Sequence, residues 1–161
     1  MKRIDQIMAH PIFEYHLCKI EEVEEDRIFC RHGISHLLDV ARIMYIEVLE
    51  REIEIKKDVI YATALLHDIG RYEQYERQIP HQEAGAQIAT AILGECGYET
   101  EEIAAIADAI RSHREKETEG NPDSLKSLLY QADKHSRNCF TCKATKECYW
   151  KEEQRNRTIS D

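Results

Sequence analysis

Eight consecutive uncharged residues, Val59 to Leu66, run directly into a His67-Asp68 doublet. A helix that is apolar on every side has no face to give to water, so it belongs inside a core with other elements around it. This places a helix over about Asp58–Asp68 at the centre of the fold. It also leaves two polar, metal-capable side chains at the buried end of that helix. A buried charged carboxylate must be paired or must coordinate a cation. Gly70 is expected to stop the helix in the left-handed conformation.

The rest of the chain repeats apolar residues at helical spacing. Ile4, Ile7 and Met8 open one stripe, which His10-Pro11 interrupts. A second helix is expected over Ile12–Asp26, its acidic residues Glu21, Glu22, Glu24, Glu25 and Asp26 forming a solvated face. A third runs from Ser35, a plausible N-cap, to Glu50. After a polar loop Arg71–Ile79, Pro80 suits a first helical position, and the helix continues to Leu93. Thr100 caps a helix through His113, Glu115–Asn121 is a charged loop, and Pro122-Asp123 starts the last clear helix. Strand patterns are nearly absent. The expected fold is all-α, a bundle of six or seven helices, with residues 1–161 forming one domain.

Charge narrows the partners. The chain of 161 residues carries 22 Lys and Arg against 31 Asp and Glu, a formal charge of −9. A protein that coats nucleic acid needs a net positive face, so bulk nucleic acid is excluded as a partner. One small phosphorylated substrate in a local site is not excluded. No segment is long and apolar enough to span a membrane, and the N-terminus carries Asp5 and Gln6 where a signal peptide would be apolar. A cytoplasmic location is expected, where thiols stay reduced.

Five helices each offer an inward-facing His or Asp. His36 borders the stripe of Val40 and Ile43, and His81 shares a side with Gly85, Ile88 and Ile92. His113 follows Ile106 and Ile110, and Asp133 follows Leu129. With His67-Asp68, the simple common cause is a metal site at the centre of a helical bundle.

These residues, in this order, resemble the HD-domain superfamily of metal-dependent phosphohydrolases. The likeness covers roughly Arg31 to Arg137. It rests on His36-Leu-Leu-Asp-Val-Ala-Arg, on Leu-Leu-His67-Asp68-Ile-Gly-Arg and on Gln-Ala-Asp133-Lys. The segments His81-Gln-Glu-Ala-Gly-Ala and Ala-Ile-Arg-Ser-His113 resemble the extra His positions of the two-metal branch, which includes the diadenosine tetraphosphate hydrolases. The resemblance implies a single HD-type bundle in which His36, His67, Asp68 and Asp133 hold a first divalent metal. Asp68 would bridge to a second, held by His81 and His113. His/carboxylate ligation suits Fe, Mn, Co or Zn. The implied activity is hydrolysis of a small phosphoester or nucleotide by metal-activated hydroxide, with Asp68 central and Arg71 or Lys134 binding and stabilising the phosphoryl group. A nucleotide-binding signalling module with little turnover is the competing reading, and an oxidative diiron enzyme a third.

Some residues keep more than one reading. His32 forms a His-x-x-x-His pair with His36, but Gly33 and Ser35 suggest that the helix starts after it. His36 is therefore the favoured ligand, and a place beside the ligands or against substrate is the minor reading for His32. Arg71 either faces phosphate or pairs with Glu73 at the surface, and Arg111 and Arg114 flank His113. The tail over 138–161 departs from the superfamily pattern. Its Cys139, Cys142 and Cys148 give C-x2-C-x5-C, and the first pair has metal-knuckle spacing. A closed Zn or Fe–S site would need a fourth ligand such as Cys18, Cys30 or Cys96. Redox-responsive thiols, or small apolar residues beneath Trp150, are the alternatives.

Overall fold

The computed structural model describes residues 1–115 and 120–159, so the middle of the expected loop Glu115–Asn121 lies outside the described residues. Among the described residues are eight α-helices and no strand: α1 (Lys2–Met8), α2 (Pro11–Val23), α3 (Ile34–Glu50), α4 (Lys57–Leu66), α5 (Arg71–Arg77), α6 (His81–Glu95), α7 (Thr100–Ser112) and α8 (Leu125–His135). Two short 3-10 turns, Cys139–Thr141 and Glu152–Gln154, follow.

The central position of α4 has a direct cause. Val59, Ala62, Leu65 and Leu66 enter one apolar cluster with residues of α1, α2, α6 and α7. Ile60 and Ala64 enter a second, with Val40, Met44 and Val48 of α3 and Leu128 and Leu129 of α8. The helix is buried on both sides, which is why its sequence has no charged face. Each fully buried Leu or Ile here contributes about 1.5–3 kcal/mol relative to exposure. At the periphery Arg3 ties α1 to its neighbours, 2.7 Å from Asp58 at the start of α4 and 2.5 Å from Glu102 of α7.

The extra helix is α5, where a polar loop was expected. It has no buried residue and no apolar stripe, so periodicity could not reveal it. Tertiary contacts hold it: Tyr72 meets Tyr15 of α2 edge to face at 6.1 Å, and Tyr75 donates to Glu24 at 2.7 Å. Gln78, with φ 59°, closes it in the left-handed region. The expectation for Gly70 needs correction too. Its φ is −80°, an ordinary right-handed value. The glycine is required by a close approach instead. A Cβ there would strike the His81 carbonyl and the Gly85 amide, and would lie 2.9 Å from the Gly85 Cα.

Helix starts differ from the expected caps by a residue or more. Gly33 rather than Ser35 precedes α3, and Glu99 with Glu102 forms a capping box before α7. The last helix begins after Ser124, whose hydroxyl accepts from the Ser127 amide. No helix is long and apolar enough to cross a membrane among the described residues.

Candidate metal centre

The turn after α4 is the hinge of the site. His67 keeps right-handed helical dihedrals there, φ −62° and ψ −34°, and adjacent residues on a helix project about 100° apart. His67 is fully buried and Asp68 is 1% exposed. Around Asp68 the structure brings together the ends of four other helices: His36 from the start of α3, His81 from the start of α6, His113 from the end of α7, and Asp133 from the end of α8. All six residues singled out by the sequence as candidate ligands therefore meet.

They meet as two groups. His36, His67 and Asp133 have ligand atoms within 4.8 Å of one another, and so do Asp68, His81 and His113. The two oxygens of Asp68 face different groups. Oδ2 lies 3.2 Å from His67 Nε2 and 3.6 Å from His36 Nε2. Oδ1 lies 3.5 Å from His81 Nε2 and 3.8 Å from His113 Nε2. Asp133 closes the first group, its Oδ1 lying 3.4 Å from His36 Nε2 and 3.9 Å from His67 Nε2.

The imidazoles are oriented from behind. His67 Nδ1–H donates to the Ala64 carbonyl at 2.7 Å and His113 Nδ1–H to the Ile110 carbonyl at 2.6 Å. Gln74 Oε1 accepts from both the backbone amide of His81 at 3.2 Å and its Nδ1–H at 2.5 Å. With Nδ1 carrying the proton, each Nε2 presents a lone pair to the centre. His81 Nε2 and His113 Nε2 consequently face each other at 3.2 Å. Two lone pairs at that distance repel unless a proton or a cation sits between them. In addition, His36 Nε2, His67 Nε2 and both Asp68 oxygens are buried without a hydrogen-bond partner, although Oδ1 has the Arg71 guanidinium 2.9 Å away as an ion pair. Buried polar atoms are normally satisfied, and orphans converging on one point fit a cation. The donor set of imidazoles and carboxylates suits a divalent transition metal.

Protonation follows the same logic. Burial, reinforced by the Arg71 cation, pushes His81 down to about 3, and burial pushes His113 down to about 4 against the pull of Asp68. Both rings are neutral near pH 7 and available as donors. Asp68 is held well below the usual carboxylate range: burial opposes its charge, but the Arg71 guanidinium beside it outweighs that cost.

His32 belongs to the same centre. It is 2% exposed, and its Nε2 lies 4.0 Å from Asp68 Oδ2. Glu24 fixes it, accepting from the His32 amide at 2.8 Å and from its Nδ1 at 2.7 Å. This corrects the reading of Glu24 as part of a solvated acidic face: it is 2% exposed. Because its partners lie 8 and 51 residues away, nothing in the local sequence separates it from Glu21, Glu22 or Glu25.

The basic residues divide. Arg71 Nε lies 2.9 Å from Asp68 Oδ1, while Glu73 pairs instead with Arg77 at 3.1 Å. Lys134 Nζ lies 2.9 Å from Asp133 Oδ2. Arg137, which the sequence did not single out, reaches Asp133 Oδ1 at 2.7 Å; its one local signal was the i,i+4 spacing. Arg114 lines the cavity beside the centre, whereas Arg111 pairs with Glu83 on the surface at 3.5 Å. That cavity is about 840 Å³, and Arg71, His113, Arg114, Lys134 and Arg137 line it, with Tyr130 and Trp150 at one side.

The HD domain profile matches residues 33–138. The chain belongs to the HD-domain family. An uncharacterized protein of Clostridium beijerinckii is 40% identical over 156 residues, 97% of each chain. The crystal structure of a predicted HD superfamily hydrolase from an uncultured Thermotogales bacterium superimposes with a TM-score of 0.64 over 91% of this chain and 80% of its own, at 24% identity. That likeness concerns the fold, the all-helical HD bundle. The matched segment runs from the N-cap of α3 to the residue just past Arg137. It therefore contains every residue of the His/Asp cluster except His32 and Glu24, and leaves out most of the cysteine tail.

Proposed function

We propose that this HD-domain protein is a metal-dependent phosphohydrolase acting on a small phosphoester or nucleotide. One observation carries the reading. Converging, partnerless donor atoms that call for cations open onto a cavity lined by guanidinium and ammonium groups. In a chain of formal charge −9, this local concentration of cations gives an anionic substrate a favourable entry. In this reading His36, His67, Asp68 and Asp133 hold one divalent ion, and Asp68, His81 and His113 a second. Such ions polarise phosphoryl oxygens and make water a better nucleophile near neutral pH.

The chain's own groups supply the rest. Arg71 and Lys134 each touch a carboxylate of the centre and reach the cavity, placed to bind phosphoryl oxygens and offset the charge that develops on them. Arg114 extends the same cationic wall. Tyr130 and Trp150 give an aromatic flank on which a base could stack, and this favours a nucleotide among small phosphoesters. Gln74 and the Ala64 and Ile110 carbonyls hold the Nδ1 protons of His81, His67 and His113 away from the reacting side.

Protein purified without chelator and supplied with Mn²⁺ or Fe²⁺ should hydrolyse members of a phosphoester and nucleotide panel. Asp68→Asn should lower kcat by at least about 100-fold, as losing the shared carboxylate removes both positioning and charge. It should also lower metal content by elemental analysis. Undiminished turnover in Asp68→Asn would refute the reading.

A further inference from the structure

Four of the six cysteines meet outside the His/Asp centre. Cys30, Cys139, Cys142 and Cys148 line one cavity of about 310 Å³ between the segment preceding α3 and the C-terminal tail. Cys18 and Cys96 lie elsewhere, the first exposed and hydrogen-bonded to Glu22, the second buried in the core. The fold thus selects Cys30 from the three candidates for a fourth ligand.

Local structure holds the segments that carry these cysteines. Cys139 and Cys142 flank a single 3-10 turn, closed by a 3.2 Å bond from the Cys142 amide to the Cys139 carbonyl. At that spacing the side chains of i and i+3 lie on the same side. Arg27 Nε donates to the Cys30 carbonyl at 2.9 Å, and Arg155 Nη2 to the Cys148 carbonyl at 3.0 Å. Asn156 anchors the tail by donating to the carbonyls of Lys134 at 2.7 Å and Arg137 at 2.9 Å. Asn156 thus ties the tail back onto the end of α8.

We propose that Cys30, Cys139, Cys142 and Cys148 hold an iron–sulfur cluster beside the His/Asp centre. Size distinguishes this from a single zinc ion. With Zn–S bonds of about 2.3 Å, a tetrahedral zinc keeps its sulfurs about 3.8 Å apart. Among the described residues no three of these thiols come within 4.8 Å of one another, yet they share one cavity. A core of several iron and sulfide ions spans such a gap from four cysteines. Charge agrees as well. A centre with four thiolates is anionic, and Arg27, Arg31 and Arg137 line the same cavity. Phe29, Tyr149 and Trp150 supply apolar surface to the same cavity.

The site adjoins the candidate metal centre. His36 lines this cavity, and so does Arg137, which pairs with Asp133 of the His/Asp centre. A cluster here would fix the tail that carries Trp150 over the proposed substrate cavity.

The test uses the full chain, isolated without oxygen or chelator, then treated with ferric iron and sulfide in the presence of a thiol reductant. Iron, zinc and acid-labile sulfide are measured, with the visible absorption spectrum. The expected result is bound sulfide with a broad visible band, both lost in Cys30→Ser and Cys142→Ser and retained in Cys18→Ser. Asp68→Asn should keep the sulfide while losing iron from the other centre, so failure of the phosphohydrolase reading is distinguishable from failure of this one. Zinc without sulfide in the parent protein, or a Cys139–Cys142 disulfide in protein kept anaerobic, would overturn the proposal. So would sulfide content unchanged by both cysteine substitutions.

Discussion

Asp68 shows how much one side chain can organise. It is almost fully buried, its two oxygens face different sets of imidazoles, and Arg71 stands beside it. An isolated carboxylate in that position would be strongly penalised; one paired with the Arg71 guanidinium is penalised less. The imidazoles depend equally on the partners at their backs. Glu24 is the most exposed to test, since it holds His32 by two contacts and also accepts from Tyr75. The Glu24→Gln variant keeps the size of the side chain and removes its charge. It should fold, and should lower metal affinity or phosphohydrolase activity by about 10–100-fold, as is usual when a partner behind a ligand is changed. Isothermal titration with Mn²⁺ and a substrate assay would check it, and wild-type values in both would exclude a role for Glu24.

At the scale of elements, the centre is a meeting of helix ends. Helix α4 is held from both sides by apolar packing, and α3, α6, α7 and α8 each deliver a residue from a terminus or last turn. Position along the helix axis therefore matters more than helix propensity. Gly70 sets one such position, because α6 can approach only where no Cβ intervenes. Substituting Gly70→Ala should destabilise the fold by about 1–3 kcal/mol, the usual cost of overpacking, and should displace His81. Urea unfolding would measure the first effect. Metal content would report the second, with the second group emptied before the first. A fully stable, fully metallated Gly70→Ala protein would contradict this account of the glycine.

For the whole molecule, the buried histidines make stability depend on pH. In the metal-free protein His32 and His113 are depressed to about 4 and His81 to about 3, by burial first and by Arg71 in addition for His32 and His81. The unfolded chain takes up these protons near the ordinary value of 6.5, whereas the folded chain resists until far lower. Their contribution is complete above pH 6.5 and is lost as pH falls toward 4 and then 3. Glu24, depressed to about 2 by His32 and Tyr75 against burial, adds a loss of the same sign below about 4.5. Denaturant unfolding of chelator-treated protein should show stability declining steadily from pH 6.5 to 4.5. Added Mn²⁺ should raise the melting temperature at pH 7 and lose that effect across the same range, because protons compete for the imidazoles. A profile flat over that interval would contradict the neutral assignment.

What was legible in sequence followed from regular patterns. The charge-free run through Leu66 dictated a buried central helix, and helical periodicity dictated an all-α bundle. Polar residues interrupting apolar stripes at His36, His81, His113 and Asp133 marked what must face inward, because a side chain on a core-facing stripe has nowhere else to go. Contacts made across long stretches of chain left no such mark. Helix α5 has no apolar stripe and is held by Tyr72 and Tyr75 against distant partners. Glu24 is one acid among several until the fold turns it toward His32. Cys30 is indistinguishable from Cys18 or Cys96 until the tail folds back over the segment before α3. Periodicity follows from burial along an element, which the sequence carries by itself. The pairing of polar groups depends on how whole elements are placed relative to one another, and only the tertiary structure decides it.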